Sequence, residues 1–140
     1  LQAALDLIRY HFHYAETLLE KDLLPAEDFD PGNVWQRKWR RSSRIRLVPF
    51  YYEILDLLEM EEIDLEEFAE LFRPVGSVAL FCRRDGEVMC ESMEEDFLTL
   101  LRNCDGKQTP EEIFAGSVSR SAGEEIVQFA AAEGFIIPAS

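Results

Sequence analysis

Cysteine is scarce in this chain, and its placement does not favour pairing. Cys82, Cys90 and Cys104 make an odd count with no CxxC spacing. A hairpin turn between Cys82 and Cys90 points them to opposite faces, where they are poorly placed to bridge. Reduced, mostly buried thiols in a cytoplasmic protein are expected. Long apolar runs are also missing. None approaches the roughly 20 residues needed to span a bilayer, and LQAALDLIRYHFHYAETLLE carries charges throughout, so neither membrane association nor a signal peptide is expected. Bases are outnumbered two to one, 14 against 28 acids, for a net charge of −14. That balance opposes binding to duplex nucleic acid, whose phosphates require clustered Lys and Arg. Only two histidines occur, His11 and His13, two apart and so on different faces of a helix. There is no GxSxG, P-loop or HExxH, and no Cys–His constellation within reach. The expectation is a protein that is non-catalytic alone, with no catalytic residue, metal or cofactor.

What is present is a globular composition, 47% hydrophobic and 30% charged over 140 residues, enough for one domain or two very small ones sharing a core. Residues 3–21 read as a helix with an apolar stripe of Ala4, Leu7, Ile8, Phe12, Ala15, Leu18 and Leu19. A turn-rich loop follows from Pro25 to Asn33. The segment 34–48 holds six bases and no acid, leaving −20 on the remainder. Within it Trp35 and Trp39 are four apart, as along one side of a helical turn. One reading is a docking surface made by Trp35, Arg37, Trp39, Arg40, Arg41 and Arg44. The other packs the tryptophans on the first helix and pairs the arginines with the chain's own acids. Pro49 is placed to start a helix, PFYYEILDLLEM. Glu53 to Glu70 carries nine acids and no base, a solvated face in which no two carboxylates stand out. Asp64-Leu65-Glu66-Glu67 reads as a capping box, stapled by Ile63 and Phe68, opening a helix that runs to about Phe72. Arg73-Pro74-Val75-Gly76 then stops it. The expected division is a helical region at 1–73 and a winged-helix module at 74–140.

The second part is organised around VALFCRRDGEVMCE. Two apolar runs flank Asp85-Gly86, a strong hairpin turn signal. A two-residue turn sets Arg84 against Glu87, Arg83 against Val88, Cys82 against Met89 and Phe81 against Cys90. Both faces are apolar, so both should be covered. Three helix starts follow: Ser92-Met93-Glu94-Glu95, Thr109-Pro110-Glu111-Glu112 and Ser121-Ala122-Gly123-Glu124. A hairpin and three short helices outline a winged helix, and the fold class expected is α+β, mainly α. A winged-helix transcriptional regulator is the alternative function. Its recognition helix would be roughly Ala122–Glu133, which has no Lys or Arg and places Glu124, Glu125 and Glu133 toward phosphate.

The run EVMCESMEEDFLTLLRNCDGKQTPEEIFAGSV, with EEIVQFAAAEGFII after it, resembles the peptide-recognition domain of ribosomally made, post-translationally modified peptide pathways. The shared features are the strand Glu87–Cys90, the turn Cys104-Asp105-Gly106, the helix start Thr109–Ile113 and the tail Glu133–Ile137. The resemblance implies a leader-peptide binder whose guest adds a strand to the hairpin edge. Carried onto this chain, the edge is Glu87, Val88, Met89, Cys90 and Glu91, and the adjoining helix wall is Ile126, Val127, Phe129, Ala130 and Glu133. With its helical N-terminal half, the chain also looks like the small partner subunits of multinuclear non-haem iron oxidases, including that of the thiaglutamate pathway. In that reading the oxidase holds the iron, and this chain delivers the precursor peptide within a hetero-oligomer.

Overall fold

A computed structural model of the protein describes residues 1–25, 29–60 and 75–139. In chain order the elements are helix α1 (Gln2–Leu18), strands β1 (Trp39–Arg41) and β2 (Arg46–Phe50), helix α2 (Ile54–Leu58), strands β3 (Ser77–Arg84) and β4 (Glu87–Ser92), helices α3 (Glu95–Asn103), α4 (Pro110–Phe114) and α5 (Arg120–Glu133), and strand β5 (Ile136–Pro138). The class is α+β, mainly α. No helix among the described residues is long and apolar enough to cross a membrane. The chain forms two compact units, Leu1–Lys21 with Arg46–Met93 and Asp22–Ile45 with Glu94–Ser140. Each takes segments from both sides of Pro74. The expected boundary at Arg73-Pro74, the capping box at Asp64 and the helix to Phe72 lie outside the described residues.

In the first unit the hairpin pairs in the register its turn dictates, Arg84 opposite Glu87 through Phe81 opposite Cys90. Asp85 and Gly86 both take left-handed conformations, φ 50° and 79°. This is the type I′ geometry whose twist matches the strands, and glycine adopts it without a Cβ clash. A third strand, β2, pairs antiparallel with β3. Here the structure corrects the sequence reading, because Pro49 lies in β2 rather than at a helix start. Val48, Phe50 and Tyr52 alternate at period two and all enter the core with Ala79 and Phe81. Proline is tolerated because β2 has no second strand neighbour among the described residues. Helix α2 starts only at Ile54, where the Glu53 carboxylate accepts from the Leu55 N–H at 3.1 Å.

Helix α1 lies where expected, but it is rolled away from its apolar stripe. Asp6 is completely buried. Its carboxylate accepts from the backbone N–H groups of Tyr51 at 3.0 Å and Tyr52 at 2.9 Å, and Arg9 stands 3.6 Å away. Ala3, Leu7 and Tyr10 pack on the core from the same side. Ile8, Phe12 and Leu19 remain exposed.

In the second unit β1 pairs antiparallel with β5, Arg40 opposite Ile137, and bridges to Asp105 on its other side. The tryptophans are not on a helix, and both are buried. Trp35 stacks on Phe114, rings 5.9 Å apart and 8° from parallel, and Trp39 donates its indole N–H to the Val34 carbonyl at 2.9 Å. Helix α4 opens on the capping box expected at Thr109 and Glu112. The other two starts differ. Ser92 stays in β4, its hydroxyl donating to the Glu53 carboxylate, and α3 begins after Glu94. Ser119, not Ser121, caps α5 by accepting from the Ala122 N–H at 3.2 Å. That earlier start places Gly123 within the helix directly against the Trp35 ring, with no room for a Cβ. Replacing Gly123 with Ala should therefore lower stability by about 1–3 kcal/mol through overpacking. Urea unfolding followed by tryptophan fluorescence checks this, and an unchanged midpoint contradicts it.

Candidate functional site

The sheet order β2-β3-β4 leaves the outer side of β4 without a strand neighbour among the described residues. The turn fixes which groups face outward. Arg84 and Glu87 exchange hydrogen bonds across the two-residue turn, so in an antiparallel ladder Met89 and Glu91 also bond inward to β3. The Met93 N–H continues this phase by donating to the Val78 carbonyl at 2.9 Å. Val88, Cys90 and Ser92 therefore direct their N–H and C=O groups to the open side. Their side chains are half-buried, Val88 and Cys90 against the core of the first unit, while Glu87, Met89 and Glu91 are exposed.

The titratable groups beside this edge are shifted by burial. Burial, then the nearby carboxylates of Glu53 and Glu91, pushes the Cys90 thiol up to about 12. Burial, with Cys90 and Tyr14 adding to it, also raises the Tyr10 phenol. Both groups stay protonated near neutrality and offer no nucleophile. Burial lowers the His13 imidazole, helped by the charges of Arg46 and Arg9. Its ring lies 6.0 Å from Phe81, whereas His11 is exposed. Among the described residues no three His, Cys, Asp or Glu side chains converge as a metal site.

The helix residues read with this edge belong to the second unit. Val127 and Ala130 are fully buried in that unit's core. Ile126 and Glu133 are half-buried. Phe129 is half-exposed, in edge-to-face contact with Phe97 and Phe135. Of the basic stretch, Arg40 and Arg41 are exposed, Arg37 lies over the Trp39 ring, and Arg44 donates to the Asp22 carbonyl at 2.7 Å. Arg46, one arginine of the stretch, pairs with Glu20 at 2.7 Å. The aromatic half of the expected docking surface is absent, because Trp35 and Trp39 serve the interior. The same unit holds a cavity of about 380 Å³ walled by Phe29, Trp39, Ala131 and Ile136, with Arg37 the one cation among its described lining residues.

Sequence reasoning missed Glu53, which caps α2 and receives Ser92 together. It also missed Asp6. The available signal was a polar stripe at helical spacing, Asp6, Tyr10, His13 and Thr17, opposite the apolar one. Compared with known proteins, the chain matches no protein-family model and no curated protein.

The raised thiols set a pH dependence. Their folded values lie above the ordinary 9.0, at about 12 for both Cys90 and Cys104. The unfolded chain therefore releases these protons first. Their contribution is complete below the ordinary value and is lost as pH climbs toward the folded one. Urea midpoints should fall between about pH 8 and about pH 10.5, and Cys90→Ala should flatten that fall. An identical slope in the variant contradicts the assignment.

Proposed function

We propose that this chain is a leader-peptide-binding accessory subunit. It receives a ribosomally made precursor peptide as a strand along β4 and delivers it to a modifying enzyme in the cytoplasm. The observation that carries this reading is the outer side of β4, which has no strand neighbour among the described residues. Val88 and Cys90 offer four backbone hydrogen bonds to a guest strand. At about 1 kcal/mol net each, these supply roughly half of the 8 kcal/mol of a micromolar complex. Side chains beside the edge must supply the rest. Met89 between Glu87 and Glu91 on the exposed side favours a guest with an apolar residue flanked by bases. The same two glutamates oppose pairing of the edge with another copy of itself.

The enzyme comes from the resemblance set out above, an iron-dependent oxidase that holds the metal while this chain holds the peptide. Protonated Cys90 and Tyr10 fit a subunit that binds without reacting. The winged-helix regulator is less favoured, since the one base of α5, Arg120, is held by Glu124 at 2.7 Å.

The ladder phase makes the test specific. Val88→Pro removes an outward donor and leaves the β3–β4 ladder intact, so the protein should fold while affinity for selected extended peptides drops by about tenfold or more. Met89→Pro removes an inward donor and should chiefly destabilise the fold. Calorimetric titration against peptides from a display library, with circular dichroism as the folding control, separates the two. Undiminished affinity in folded Val88→Pro would count against the edge as the site.

A further inference from the structure

Helix α1 and its C-terminal continuation present an apolar seam to solvent. Leu1, Leu5, Ile8, Phe12, Ala15 and Leu19 recur at alternating spacings of four and three, the a/d pattern of a helix that packs on another helix. Leu1 is 93% exposed, Leu5 41%, Ile8 66%, Phe12 58% and Leu19 84%, and Ala15 is exposed as well. The helix cannot roll to hide them, because its opposite side is pinned. Asp6 is bonded to the backbone of Tyr51 and Tyr52, and Tyr10 packs on Phe81 with rings 5.7 Å apart. A continuous apolar stripe of this length is unusual on a monomer surface.

We propose that this seam is covered by the same seam of a second copy, the two helices running antiparallel about a two-fold axis near residue 10. The spacing reads identically in both directions. One axis therefore sets Leu1 against Leu19, Leu5 against Ala15 and Ile8 against Phe12 of the other copy, and every seam residue has a partner. A parallel pairing would put Ala15 on Ala15 and leave a gap. The exposed part of the seam amounts to more than three whole large side chains per copy. With Ala4 and Leu18 at its flank, the covered area approaches the roughly 800 Å² per partner of a standard stable interface. Charge agrees. Residues 1–19 carry only Asp6, Arg9 and Glu16 and so a net −1 in a chain of −14, making this a face where two acidic molecules can meet with little like-charge repulsion.

Sedimentation equilibrium on the full chain tests this. The expected species is twice the chain mass. Phe12→Glu and Ile8→Glu should each weaken the dimer by more than about tenfold with unchanged circular dichroism, since both side chains are exposed in the monomer. Mixing Ile8→Cys with Phe12→Cys protein under oxidation should give a cross-linked heterodimer, while Ile8→Cys alone gives none. A monomer at all concentrations, or a dimer indifferent to Phe12→Glu, overturns the proposal. Self-cross-linking of Ile8→Cys overturns the antiparallel arrangement.

Discussion

One buried carboxylate sets the geometry of the first unit. Asp6 enters the interior without exposure and is stabilised there by two backbone N–H groups and an adjacent arginine. Removing it would orphan two donors at the corner where β2 turns into α2, a site where unsatisfied groups cost about 1–3 kcal/mol each. Because the bonds run from a helix to a strand end, they fix the roll of α1 as well as the path of the chain. Ala3, Leu7 and Tyr10 then cover the sheet face formed by Val48, Phe50, Ala79 and Phe81. The same constraint leaves the apolar side of α1, with Ile8 and Phe12, exposed; separately, β4 has no outer strand neighbour among the described residues.

Two open surfaces of different chemistry result. The β4 edge presents backbone groups bracketed by the exposed acids Glu87 and Glu91. The α1 seam presents apolar side chains with little charge, and it suits a helix. A binding role fits the site's titratable groups, since burial keeps the Cys90 thiol and the Tyr10 phenol protonated. The proposed leader-peptide role joins this edge to a resemblance in the sequence.

Local chemistry was legible in the sequence. Asp85-Gly86 dictated the hairpin register to the residue, and Thr109 with Glu112 dictated the start of α4. Alternation within 87–92 also follows once the turn is known, so the candidate edge could be read in advance. Features set by distant partners were not legible. Pro49 resembles a helix start until β3 is seen beside it. Ser92 resembles a cap until Glu53 takes its hydroxyl. Trp35 and Trp39 resemble an exposed pair until Phe114 and the small Gly123 provide an interior for Trp35. The stripe on α1 misled for the same reason, because a period locates an apolar face without saying what covers it, and Asp6 claimed the other side.

Amide hydrogen exchange along β4 tests the open edge most directly. Alternation is expected in the protein without peptide: Val88 and Cys90 exchange quickly, while Met89 and Glu91, bonded to β3, are protected. Uniform protection from residue 87 to 92 would mean the outer side is already occupied, and would contradict the open edge.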